Sequence, residues 1–116
     1  MHELAVCQSL LDQVQQIARQ HHAVTVDTIY LQVGPLSGVV PELLQSAFPI
    51  ASAETIASHA TLVIHALPIR VRCKQCQTET EATPNRLVCG NCGHWQTEML
   101  SGDELLLERV ELNTEH

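Results

Sequence analysis

Four cysteines stand in this chain as two Cys-x-x-Cys pairs, Cys73-Lys74-Gln75-Cys76 and Cys89-Gly90-Asn91-Cys92, with twelve residues between them. No other feature restricts the fold as much, because two tight knuckles joined by a short loop bring four sulfurs onto one tetrahedral ion. Gly90 and Gly93 give the second knuckle the backbone freedom for such a turn. With all four positions filled by protein, the ion has no vacancy for substrate. The spacing therefore predicts zinc in a structural ribbon, with Cys73, Cys76, Cys89 and Cys92 as ligands. The competing use of paired cysteines is two disulfides in a small secreted domain. It fits less well, since no basic-plus-apolar leader opens the chain and Cys7 is left as an odd fifth thiol.

A chain of 116 residues has room for one modest core besides the ribbon. The longest apolar run, Leu62 to Ile69, is broken by His65 and Pro68 and falls far short of the roughly 20 residues that span a membrane. A cytoplasmic protein with no membrane partner is expected. Net charge is −7, but it is unevenly spread: Arg70, Arg72, Lys74 and Arg86 face only Glu79 and Glu81 between residues 70 and 97, leaving two basic and eleven acidic residues elsewhere. An ion held by four thiolates carries about −2, which makes the ribbon neutral and the remainder strongly acidic. Neither part neutralises phosphates, so the charge argues against nucleic acid, the commonest partner of a zinc ribbon. Arg70, Arg72 and Lys74 share one face of an extended segment, read as a solvated strand face in preference to a docking patch for an acidic partner.

Leu4, Cys7, Leu10, Leu11, Val14, Ile17 and Ala18 recur at helical spacing, so a first helix begins almost at residue 1 and carries Cys7 in its buried stripe. His21 and His22 suit the negative end of its dipole. Val24 to Val33 reads as a strand with Ile29, Leu31 and Val33 on one face, stopped by Gly34-Pro35. Pro41 is placed to open a second helix burying Leu43, Leu44, Ala47 and Phe48, and Pro49 predicts a kink or stop near Ala47 or Phe48. Thr61 to Ile69 reads as a second strand running into the first knuckle, with His65 exposed or hydrogen-bonded within it. Leu105 to Leu112 is a third strand whose phase change predicts a bulge near Glu108-Arg109. The expected architecture is α+β: a three-stranded sheet with two helices over residues 1–68 and 98–116, and an inserted zinc-ribbon subdomain over 69–97.

The first residues, Met1-His2-Glu3, hold a second set of metal donors. The bulky His2 should keep Met1 in place, leaving a free amine of pKa about 8 beside an imidazole and two backbone amides. The Met1 amine, the amides of His2 and Glu3 and the His2 ring can form linked chelate rings in a plane, a geometry favoured by Ni(II) and Cu(II) and not by zinc. The same residues also read as a plain helix start, with Glu3 at the positive end of the dipole.

Met1-His2-Glu3-Leu4 opening a helix, Val33-Gly34-Pro35-Leu36-Ser37-Gly38-Val39 leading into Pro41-Glu42-Leu43, the cysteine quartet, Gly102-Asp103-Glu104-Leu105 and Val110-Glu111-Leu112 follow one another in an order that resembles the HypA/HybF family, nickel metallochaperones of NiFe-hydrogenase maturation. The resemblance covers nearly the whole chain. It implies a nickel-binding domain plus a zinc ribbon, with His2 as nickel ligand, the Met1 amine and the His2 and Glu3 amides completing the set, and Glu3 tuning binding and hand-off. It implies as partners a HypB-type GTPase, the NiFe-hydrogenase large subunit and, in some relatives, the urease maturation proteins. A monomer or weak homodimer with no enzymatic turnover is expected. Two departures are Pro49 and the segment Ile64-His65-Ala66, which replaces a more acidic stretch. A zinc-ribbon adaptor without a second metal is the main rival reading. His94, two residues after Cys92, is read as an exposed bystander in preference to an exchangeable ligand.

Overall fold

The computed structural model describes residues 2–114, with the backbone alone of His2. Along the chain run α1 (His2–Gln20), β1 (Thr25–Val33), α2 (Pro41–Ser52), β2 (Thr61–Ala66), β3 (Ile69–Cys73), β4 (Glu79–Ala82), β5 (Thr97–Ser101) and β6 (Leu105–Asn113). The strands form two three-stranded sheets, in the orders β2-β1-β6 and β4-β3-β5. In the first sheet β1 lies parallel to β2 and antiparallel to β6. The second is antiparallel throughout.

The apolar stripe of α1 becomes core, with Cys7, Leu11, Val14 and Ala18 buried, and the Cys7 thiol approaching the Leu44 carbonyl of α2 at 3.6 Å. Ile29, Leu31 and Val33 meet this stripe from β1. The helix closes by backbone geometry. The Ala23 amide donates to the Ala18 carbonyl at 2.9 Å and the His22 amide to that of Arg19 at 3.2 Å, with His22 in the left-handed region at φ 56° where glycine is usual.

Three expectations fail. Leu43, expected on the buried side of α2, is 49% exposed. Pro49 does not end α2, which continues to Ser52. The ring faces solvent, so the Gln45 carbonyl that it leaves without an amide can be hydrated, while Ala47 and Phe48 keep the helix on the core. The run Thr61–Ile69 is not one strand. Pro68 cannot donate to a ladder, and the chain breaks at Leu67-Pro68, leaving β2 in the first sheet and starting β3 in the second. The second sheet also takes Thr97–Ser101 as its last strand, beyond the residue 97 at which the ribbon was drawn from sequence. The expected bulge in β6 is present: Tyr30 pairs with Arg109 and Leu31 with Leu107, which leaves Glu108 as the extra residue.

The sheets lie end to end, giving extents of 58 × 28 × 16 Å and a radius of gyration of 17.6 Å. A single ball of this length would have a radius of gyration near 13 Å. Between the sheets the chain passes are tied tightly. The Gly34 amide donates to the Glu104 carbonyl at 2.8 Å, the Leu36 amide to that of Gly102 at 2.7 Å, and the Ser101 hydroxyl to that of Pro68 at 3.0 Å. A Cβ on Gly34 would collide with the Gly102 carbonyl, and Gly102 itself sits at φ 128° against Ile69.

Candidate metal centre

Both cysteine pairs fold into the same backbone turn. In the first, the Cys73 amide donates to the Thr78 carbonyl and the Gln77 amide returns to that of Cys73, each at 3.0 Å. In the second, the Cys89 amide donates to the His94 carbonyl at 3.0 Å and the Gly93 amide returns to that of Cys89 at 2.9 Å. The turn requires a left-handed fifth residue, which is Gln77 at φ 65° in one knuckle and Gly93 at φ 76° in the other. Gly90 has a different role from the one expected. It is not left-handed; it gives room to Thr80, whose Cβ would stand 3.1 Å from an added methyl and whose hydroxyl accepts the Gly90 amide at 2.8 Å.

The turns bring the sulfurs of Cys73, Cys76, Cys89 and Cys92 within 4.8 Å of one another. Cys73 and Cys92 are 3.6 Å apart, as are Cys76 and Cys89. A tetrahedron with metal–sulfur bonds of about 2.3 Å has edges of about 3.8 Å, so this donor set fits zinc closely. Amides are aimed at the sulfurs as well: Gln75 and Cys76 at Cys73, each at 3.3 Å, and Asn91 and Cys92 at Cys89, at 3.3 and 3.4 Å. Such bonds stabilise thiolates and fix their orientation.

The acidities of the four sulfurs split apart. Hydrogen bonds from the Thr78 hydroxyl and amide, then from the Asn91 side chain, draw Cys76 down to about 5. The Cys92 amide and then that of Asn91 lower Cys89. Cys92 moves up to about 12: a backbone hydrogen bond from His94 favours its thiolate, but desolvation and the three neighbouring sulfurs outweigh it. Four negative sulfurs at this separation need a cation, and a dication supplies it. His94 is turned to Gln96, Nε2 to Oε1 at 3.3 Å, and the Trp95 ring lies beside it, tilted by 37° with 6.0 Å between centroids. Arg72 lies 2.8 Å from Glu79 and 4.0 Å from Glu98, the solvated and already paired strand face expected for the basic run.

Met1 lies outside the described residues, and His2 contributes its backbone to the first turn of α1. Glu3 is 8% exposed, with Oε2 accepting the Val40 amide at 3.4 Å. Its carboxylate is thus committed to the start of α2. Sequence reasoning missed this tie and the Gly34–Gly102 approach, since neither partner is near the other in the chain. The absence of a capping side chain at Val40, directly before Pro41, was the available signal for the first.

A closed four-thiolate ribbon tied to a small α+β unit defines a metal-binding accessory protein, not a centre with an open coordination site. Residues 1–112 match the model of the HypA family, described as hydrogenase/urease nickel incorporation, metallochaperone. Relatives named hydrogenase maturation factor HypA are 45% identical over 114 residues in Nitrosospira multiformis, covering 98% of this chain and 99% of that one, and 33% identical over 115 residues in Aquifex aeolicus, covering 99% and 100%. The solution structure of a protein called HypA has a TM-score of 0.73 at 25% identity, covering 99% of this chain and 98% of the other. That of the nickel metallochaperone HypA from Helicobacter pylori has a TM-score of 0.69 at 23% identity, covering 97% and 98%, a likeness of fold. The chain belongs to the HypA family of metallochaperones for hydrogenase and urease nickel incorporation.

Proposed function

We propose that this chain binds Ni(II) at its N-terminus and delivers it for assembly of the NiFe-hydrogenase active site, while zinc held by Cys73, Cys76, Cys89 and Cys92 keeps the ribbon folded. The observation that carries this reading is the position of His2 and Glu3 at the very start of α1. The first amides of a helix have no carbonyl four residues back, so these two remain available as planar donors beside the Met1 amine and the His2 ring. Glu3 then acts through its amide, its side chain being occupied with Val40. Nickel is the cargo in this scheme. The amine, ring and amides must lose protons to hold it, so acid or incoming thiolate ligands from an acceptor dissolve the chelate stepwise. Zinc supplies charge neutralisation and closure of the two knuckles.

The carrier has no turnover chemistry of its own and works in the cytoplasm. A HypB-type GTPase is the proposed source of nickel and the hydrogenase large subunit the proposed recipient, with urease maturation proteins as further clients. The helix-bearing sheet is the nickel-binding unit and the second sheet the zinc unit. Nickel titration of zinc-loaded protein with its native N-terminus tests the reading. One equivalent of nickel in a planar, diamagnetic site is expected, lost in His2→Ala and on extending the N-terminus by one residue. Unchanged nickel affinity in both variants would refute the terminal site. One feature favours the second reading, an adaptor without nickel: Trp95 stands 71% exposed on the ribbon. Uptake of zinc with no nickel at all would select it.

A further inference from the structure

Strand β6 borders the first sheet, and among the described residues no strand pairs with its outer edge. Neighbouring bonds fix the direction of its backbone. The Val24 amide reaches the Asn113 carbonyl on the β1 side at 2.8 Å, so the two-residue period of a strand turns the amides and carbonyls of Val110 and Leu112 outward. On the helix-covered face, Leu107, Val110 and Leu112 line a groove of about 380 Å³ whose opposite wall includes Ile17 and His21. The three β6 side chains are only half-buried. A free strand edge beside an open groove and a helix is the arrangement that receives an extended segment as an added strand, with main-chain hydrogen bonds along the edge and alternate side chains in the groove.

Charge selects the occupant. Outside residues 70–97 the chain has two basic residues against eleven acidic ones. Of the two, Arg109 is folded 4.1 Å over the Tyr30 ring and lies 3.5 Å from Glu111. Glu111 is exposed on β6, Glu108 reaches back across β1 to His65 at 2.9 Å, and the groove opens at the C-terminal, negative end of α1. A second copy would bring an equally acidic surface and its own bulge at Glu108, both unfavourable to edge-to-edge pairing. We propose that the β6 edge and the α1 groove bind, by strand addition, an extended segment of a partner protein in which apolar residues alternate with Lys or Arg.

The test uses zinc-loaded full-length protein and a blocked nine-residue peptide of alternating Val and Lys, equal in length to β6. Saturable binding is expected, with amide-exchange protection rising about tenfold at Val110 and Leu112. Affinity should fall severalfold when salt is raised to about 0.5 M. Val110→Pro removes an outward amide and leaves the β1 ladder intact, so binding should weaken about tenfold. Glu111→Lys, at an exposed position that keeps the fold, should weaken the Val-Lys peptide and strengthen a Val-Glu one. Equal binding of the two peptides to the parent protein, binding without protection of Val110 and Leu112, or no saturable binding overturns the proposal. A concentration-dependent dimer in sedimentation that itself protects the Val110 amide does so too, since β6 would then be its own partner.

Discussion

The Glu3 carboxylate accepts the Val40 amide at 3.4 Å, so the first turn of α1 supplies the cap that α2 lacks in its own sequence. The carboxylate also lies at the positive end of the α2 dipole, a favourable place for a negative charge. Glu3→Ala should cost about 1 kcal/mol, lowering the melting temperature by about 5 °C and accelerating exchange of the Val40 amide. Glu3→Gln, which keeps an acceptor, should lose about half as much. Thermal denaturation together with hydrogen exchange reads both effects, and a Val40 amide that exchanges at the parent rate in Glu3→Ala would show the tie to be idle.

Gly34 tolerates no side chain, for a reason different from that at Gly38. An added methyl at Gly34 meets the Gly102 carbonyl, whereas at Gly38 it meets open space and the cost is that of a left-handed φ of 84°. Gly38→Ala should therefore cost about 1 kcal/mol and leave the shape unchanged. Gly34→Ala should cost more than about 2 kcal/mol or open the joint between the sheets. Small-angle scattering distinguishes the last two, and an unaltered melting curve for Gly34→Ala would remove the joint from consideration.

Zinc removal should act on one half of the molecule. The single tryptophan, Trp95, lies in the metal ribbon and the single tyrosine, Tyr30, in the helix-bearing sheet, so each reports on its own unit. The core cluster under the helices contains no residue of the second sheet. A chelator should therefore release the ribbon, seen as a fall in Trp95 fluorescence anisotropy, while Tyr30 and the amide resonances of residues 2–66 stay in place. Simultaneous loss of both signals would mean that the metal holds the whole fold.

Pro49 offers a stabilising change. Its ring is exposed inside α2 and withholds the amide that would meet the Gln45 carbonyl. Pro49→Ala restores that bond and should raise stability by about 1–3 kcal/mol, measured by denaturant unfolding. A destabilised Pro49→Ala would indicate that the helix depends on the geometry proline imposes.

Elements whose causes are local were legible in the order of the residues. The cysteine spacing dictates the four-sulfur cluster, since each pair closes within a single turn. The apolar periods of α1 and β1 dictate which faces are buried, and the phase break in β6 placed the bulge at Glu108. The chelate proposed at the first three residues is likewise a local reading, because a terminal amine and adjoining amides need no other part of the chain. Tertiary structure decided what local rules misjudged. It carried α2 through Pro49, where packing of Ala47 and Phe48 outweighs one missing hydrogen bond that water can replace. It divided one apolar run between two sheets at Pro68, turned Glu3 inward onto Val40 and set Gly34 against Gly102. Each of these depends on which distant segment arrives alongside, and a burial pattern read along one strand or helix does not specify its neighbour.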